Sequence, residues 1–581
     1  MKKRFLSALA VILLVSACHC GPKDGTYELT VLSTNDVHGT WFDSTYMDNG
    51  IKRSLMAVNT YVDSIRQADG AQNVLLIEVG DCLQGDNAPY YFNYVDTLSP
   101  HLFPRLVEYM GYDAVVWGNH DVETGHAVYD RVNRELAKAG VPFLAGNAIR
   151  DDNGKTYFPL YKMVKKGGLR IAVLGYENAN IKAWLAEEVW SGMHFERIVN
   201  RVQQDVDAVR AKEHPDVVVV GVHSATGEGD GSNPESEGLD IFNSVHGVDW
   251  LLTSHDHRPF VEVRDSCALM NAGSHSRFLA HGKMRLTVKD GKVVEKSFSA
   301  DLIPIKAEKA DPVMRARFQK DFEAVKAFTR QRVGQLNVPL KTREAFVGMS
   351  PYVNLIHAVC LSCPPARLSI AAPLTYNGSI VPKELIFNDL FTIYPFENQL
   401  YVITMTGDEI QRYLEASYDR WIQTWTRPGD HVLRIVPRDD LRAGQSRWSF
   451  EHFSYNFDSM AGLDYTVDIT KPRGQRIQIQ SMADGSAFDL QERYPVAVTS
   501  YRASGGGTLL DEVGIDTDCI DERVVARYPE IRSLLLKRLQ EDPTIDLEEV
   551  SDLSLLGHWA FVPEKIAGPA LEADMELLFG R

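Results

Sequence analysis

Gly118-Asn119-His120-Asp121 and Ser254-His255-Asp256-His257 each close a short apolar, β-branched run, 114–117 in the first case and 250–253 in the second. Four more runs stop in the same manner. Residues 27–32 precede Thr34-Asn35-Asp36-Val37-His38, 74–79 run into Gly80-Asp81, 171–174 precede Gly175-Tyr176-Glu177-Asn178, and 217–222 precede His223. Continuous apolar runs of this length suit strands covered on both faces. Helical patterns at 54–66, 127–138 and 197–212 lie between them, and that alternation predicts an α/β domain. In such sheets ligands collect beyond the carboxyl ends of the strands, where every polar cluster falls.

Singly, these residues say little. An Asp-x-His is most often a solvated loop, and a lone His223 reads as a hydrogen-bonded core histidine. As an ordered series, Asp36, His38, Asp81, Asn119, His223, His255 and His257 supply the imidazole and carboxylate groups suited to zinc, manganese, iron or nickel. They are too many for one closed structural zinc site.

The surrounding chain sets bounds on this reading. Its 581 residues, 44% hydrophobic and 24% charged, have a globular composition but exceed what one core can serve, so two large domains are expected. The net charge of -17 argues against a nucleic acid polymer as partner. Residues 310–335 are charged and helical without a strand signal, which predicts an interdomain helix within a linker at 306–339. Residues 340–541, rich in aromatics and turn signals, read as α+β, and 542–581 as a C-terminal extension. Cys360-Leu361-Ser362-Cys363 is a lone C-x-x-C, better read as a local disulfide or two buried thiols than as a zinc site.

Residues 1–17 read as a targeting leader, with a basic start at Lys2, Lys3 and Arg4 and an apolar run too short to span a bilayer. Leu14-Val15-Ser16-Ala17-Cys18 resembles a bacterial lipoprotein signal, which implies cleavage before Cys18 and its lipidation; an ordinary leader with an incidental cysteine is the alternative. The expected location is the bacterial cell envelope, with membrane contact through the lipid anchor only.

Asn35-Asp36-Val37-His38-Gly39, Gly80-Asp81-Cys82-Leu83-Gln84-Gly85, Gly118-Asn119-His120-Asp121, His223 and Ser254-His255-Asp256-His257 together resemble the calcineurin-like metallophosphoesterase domain of the 5'-nucleotidase family. Tyr394-Pro395-Phe396-Glu397-Asn398, Met405-Thr406-Gly407 and the 500–506 stretch resemble that family's C-terminal domain. The resemblance implies a four-layer αββα catalytic domain at 18–305, followed by an α+β substrate domain. It implies two divalent metal ions, manganese, zinc or similar: one on Asp36, His38 and His257, the other on Asn119, His223 and His255, with Asp81 between. Such a pair activates water for in-line attack on phosphorus.

By the same resemblance His120 assists catalysis, with Glu123 as its carboxylate partner and Asp121 as a competing candidate. Phe396 and Tyr501 would stack a base, while Asn377 and Arg502 are further substrate contacts. The family's Asn-Gly-Gly-x-Arg loop survives only as Asn377-Gly378-Ser379-Ile380, and the ribose-binding Asp of its Gly-Gly-Asp-Gly loop is Gly507. Those losses bear on selectivity; Arg367, Lys383 or Arg502 could compensate. The expected activity is hydrolysis of extracytoplasmic nucleotide phosphate esters by a monomer or weak dimer. The alternatives are a 2',3'-cyclic nucleotide phosphodiesterase, a nucleotide-sugar hydrolase, or a non-catalytic nucleotide-binding lipoprotein.

Overall fold

A computed structural model describes residues 22–580 other than 232, 397 and 439–445. The expected leader at 1–17, the expected lipidation site Cys18 and Glu397 lie outside the described residues.

The apolar runs form two six-stranded sheets. In chain order the strands are β1 (Gly25–Thr34), β2 (Val74–Glu78), β3 (Ala114–Val116), β4 (Phe143–Leu144), β5 (Tyr161–Lys166), β6 (Leu169–Tyr176), β7 (Val217–Val222), β8 (Trp250–Leu252), β9 (Pro259–Val263), β10 (Ala268–Ala272), β11 (Phe278–Lys289) and β12 (Lys292–Pro304). One sheet runs β12-β11-β1-β2-β3-β4 and the other β9-β10-β8-β7-β6-β5. The central strands are parallel, with Val31 opposite Leu75 in one sheet and Leu251 opposite Val220 in the other.

Alternate side chains explain why these runs are apolar throughout. Val31, Leu75, Ile77, Val219, Trp250 and Leu252 fill the space between the sheets. Leu32 and Leu76 point to the opposite face, into a core with helix Leu55–Asp69, while Val218 and Val220 pack under helix Ile198–Glu213. The result is the four-layer αββα arrangement. Fully burying a Val or Leu contributes about 1.5–3 kcal/mol, so both faces of each central strand stabilise the sandwich.

The second half is built on a five-stranded sheet of Ser459–Ala461, Leu368–Ala371, Arg493–Thr499, Gln399–Thr406 and Val524–Glu530. Helix Gly407–Trp421 covers one face and Pro351–Leu361 the other. Thr406 caps the first of these, its hydroxyl accepting from the Glu409 N–H while the Glu409 carboxylate accepts from the Thr406 N–H. Cys360 and Cys363 are two buried thiols.

Two expectations need correction. The 310–335 segment is two helices, Pro312–Arg317 and Gln319–Thr329, followed by a strand, Arg332–Leu336. That strand pairs with Lys383–Ile386 and Thr544–Ile545; such distant partners leave no local trace in a short charged run. Residues 542–580 are no appendage either. Trp559–Val562 adds to Leu463–Asp468, and helix Glu564–Phe579 buries Ala567, Leu571 and Leu578 in the second core.

Several contacts seat the halves together. Asn87 Nδ2 donates to Asn388 Oδ1 at 2.9 Å, Arg527 pairs with Glu188 at 3.1 Å, and Arg532 lies over the rings of Tyr90 and Phe391. Among the described residues no helix is long and apolar enough to cross a membrane.

Candidate metal centre

The strand ends of both sheets open onto one place. Asp36 and His38 follow β1, Asp81 follows β2, and Asn119 and His120 begin the short helix Asn119–Glu123 after β3. His223 follows β7, and His255 and His257 follow β8. Backbone bonds tie the loops together: Asp36 N–H donates to Gly80 O and His38 N–H to Asp81 O, both at 3.0 Å. Gly80 sits at φ +90 where a Cβ would lie 2.5 Å from His223 Nδ1, and a Cβ on Gly118 would lie 2.3 Å from Asp81 N. Close backbone approach is a use particular to glycine.

The seven sequence-derived ligand residues come together in two groups. Asp36, His38 and His257 form one and Asp81, His223 and His255 the other, the ligand atoms in each lying within 4.8 Å of one another. Asn119 Oδ1 stands 3.0 Å from both His223 Nε2 and His255 Nδ1. Asp81 Oδ2 is 3.2 Å from His223 Nε2 and 3.9 Å from His38 Nε2, between the groups.

The donor chemistry fits cations. His38 Nε2 and His257 Nε2 face each other at 2.9 Å, both within 4.0 Å of Asp36 Oδ1. Two imidazole nitrogens hold that separation when a proton or cation lies between them. Burial lowers the His38 pKa to about 3, leaving the neutral imidazole that binds metal. Burial raises the pKa of Asp81, but the positive charges of His223 and His120 outweigh it and hold the carboxyl well below its usual range.

Five of these residues have left-handed backbones, Asp36, His38, Asp81, His255 and His257, with φ between +44 and +69. Such conformations are unusual outside glycine, cost on the order of 1–3 kcal/mol each and cluster at functional sites.

His120 Nδ1–H donates to Glu123 Oε2 at 2.6 Å. Burial lowers the His120 pKa, but the charge of Asp81 and the Glu123 bond raise it to about 10. Asp121 is not the partner. Its buried carboxylate accepts from the N–H groups of Cys82 and Leu83 at 2.8 Å, Gly118 at 3.0 Å and Asp81 at 3.1 Å, so it shapes the ligand loops.

Tyr501 lies beside an aromatic residue the sequence reading missed. Tyr455 stands nearly perpendicular to both Phe396 (77°, 6.3 Å) and Tyr501 (84°, 6.5 Å), so the three rings form one aromatic cluster. Burial first, then the charges of Tyr501 and Glu235, push the Tyr455 phenol up to about 12. Phe453-Ser454-Tyr455-Asn456-Phe457, with an aromatic at every other position, was the available signal.

Arg502 is held by the protein itself. It is 3% exposed, and its guanidinium donates to Asp458, Asn456 Oδ1, Gly506 O and Tyr455 O. Asn377 is drawn elsewhere too, accepting from Arg343 Nε, while its neighbour Tyr376 packs on Phe579 of the C-terminal helix. Lys383 is paired with Asp389 and Arg367 lies near Asp484 and Glu492. Also missed were Trp184, stacked on His255 at 4.9 Å, His275, tilted over His38 at 5.1 Å, and Glu235 on His255 Nε2.

Residues 29–259 match the calcineurin-like phosphoesterase family model, and 332–512 match the 5'-nucleotidase C-terminal domain model. The chain belongs with the calcineurin-like phosphoesterases that carry a 5'-nucleotidase C-terminal domain. This phosphoesterase is 24% identical to the 5'-nucleotidase of Vibrio vulnificus over 92% of the chain and 97% of the relative. It is 21% identical to the trifunctional nucleotide phosphoesterase protein YfkN of Bacillus subtilis, aligning over 95% of its own length but only 40% of YfkN. A crystal structure from Staphylococcus aureus, assigned as a 5'-nucleotidase and solved with alpha-ketoglutarate, superimposes with a TM-score of 0.74 at 21% identity, covering 92% of this phosphoesterase and 99% of that chain. The protein is therefore a phosphoester hydrolase of the 5'-nucleotidase type.

Proposed function

We propose that the substrate is a nucleotide whose phosphate ester is cleaved at the two ligand groups while its base stacks on the aromatic cluster of Phe396, Tyr455 and Tyr501. The observation that carries this is the position of Asp81 between two histidine-rich groups, with Tyr455 and Tyr501 close enough for the charge of Glu235, the neighbour of His255, to act on both phenols. Two divalent ions, when bound, supply Lewis acidity toward the phosphoryl oxygens and bring the pKa of water to about 7. Asp36, His38 and His257 would hold one, Asn119, His223 and His255 the other, and Asp81 both.

The chain's own groups do the rest. Glu123 fixes His120 through Nδ1, leaving Nε2 to stabilise the phosphoryl oxygens or give a proton to the leaving oxygen. Tyr501, Tyr455 and Phe396 orient the base by ring contact, which contributes roughly 1–3 kcal/mol per base stacked. Two dications held by these residues would offset the acidic surface locally.

A second reading, cleavage of 2',3'-cyclic nucleotides, is favoured by Gly507. Arg502 Nη1 and Asn456 Oδ1 occupy the space a side chain there would need, 2.4 and 2.5 Å from its Cβ position. A carboxylate for free ribose hydroxyls has no room at that point. Location in the cell envelope through lipidated Cys18 completes the proposal. The deciding experiment is an assay of metal-reconstituted protein on AMP, ATP, a UDP-sugar, 2',3'-cyclic AMP and a sugar phosphate. Hydrolysis of none of the nucleotides would sink the reading.

A further inference from the structure

His255 is held on three sides. Its Nδ1 faces Asn119 Oδ1 at 3.0 Å within the second ligand group, its ring stacks on Trp184 at 22°, and its Nε2–H donates to Glu235 Oε1 at 3.0 Å. His223, the other imidazole of that group, turns its spare nitrogen to the Val79 carbonyl at 2.7 Å instead. The Glu235 backbone is itself fixed: its carbonyl accepts from Ser224 Oγ at 2.9 Å, Asn178 Nδ2 at 3.0 Å and Ala225 N–H at 3.2 Å. A carboxylate on the spare nitrogen of a ligating imidazole fixes its tautomer and makes the ligating nitrogen more basic.

We propose that Glu235 is the positioning residue of the second metal site, setting the affinity of that ion through His255 while leaving the first ion untouched. The inference rests on the two-ion reading above. Glu235 reaches the ion only through His255, and its side chain is 40% exposed, so replacing it leaves no buried charge behind. The carboxylate lies toward Tyr455 and Tyr501, whose pKa values it helps to raise.

The test is calorimetric titration of metal-free full-length protein with Mn²⁺, with thermal unfolding of the metal-free forms alongside. Wild type should bind two ions. Glu235→Gln, which keeps an acceptor but not the charge, should bind the first ion as wild type does and the second about 10- to 100-fold more weakly, with an unchanged metal-free melting temperature. Glu235→Asp, charged but short of the imidazole, should fall on the same side. Equal affinities in wild type and Glu235→Gln would overturn the assignment of Glu235 while leaving the two-ion centre standing. Failure of wild type to bind a second ion would overturn both.

Discussion

His120 Nδ1 and Glu123 Oε2 are 2.6 Å apart across one helical turn, while the carboxylate of Asp121 is taken up by backbone N–H groups. The pair makes His120→Asn and Glu123→Gln tests of one device. His120→Asn is expected to lower kcat on the preferred nucleotide by about 10²- to 10⁴-fold and Glu123→Gln by less, with metal content unchanged in both. A Glu123→Gln enzyme with full kcat would show that the carboxylate does not serve the imidazole.

The aromatic cluster of Phe396, Tyr455 and Tyr501 predicts a split between substrates. Tyr501→Ala and Tyr455→Ala should each raise KM for a nucleotide by roughly 5- to 150-fold, from a stacking contribution of about 1–3 kcal/mol. Turnover of a sugar phosphate, which has no aromatic base to stack, should be unaffected. Equal losses on both substrates would mean that the rings support the fold and not the base.

Arg502 is predicted to matter through folding. Removing one member of its buried pair with Asp458 should destabilise by about 3–5 kcal/mol, so Arg502→Met should melt well below wild type in calorimetry. If it melts like wild type and loses only substrate affinity, Arg502 contacts substrate after all.

His357 gives a pH dependence far from the metal loops. It is buried in helix Pro351–Leu361, between Ser369 Oγ at 3.0 Å and Ser459 Oγ at 3.2 Å, and burial lowers its pKa to about 3 from 6.5. Between pH 6.5 and 3 the unfolded chain binds a proton that the folded chain refuses. The stability this neutral imidazole contributes is therefore complete above pH 6.5 and lost as pH falls toward 3. Melting temperatures of His357→Gln from pH 7 to 4 should fall less steeply than those of wild type; parallel curves would refute the linkage.

The sandwich and the ligand loops were legible because each central strand is apolar on both faces and stops at residues that could not be buried unpaired, such as Asp36 or His223. What stayed hidden depends on long-range pairing. Arg332–Leu336 is a strand only because Thr544–Ile545 and Lys383–Ile386 lie beside it. Arg502 looks like a substrate contact until Asp458 is folded against it. Glu235 sits in a polar loop that resembles any other until the chain returns to place His255 next to it.

The left-handed backbones at Asp36, His38, Asp81, His255 and His257 set folding and chemistry against each other. At each of these positions the main chain would rest more easily on glycine, yet glycine carries no group that can hold an ion. Drift toward glycine at any of the five would ease the metal-free protein while emptying its reaction centre. The heat resistance of the metal-free chain is thus a poor guide to its fitness, and a library selected for thermal survival alone would be expected to discard these residues first.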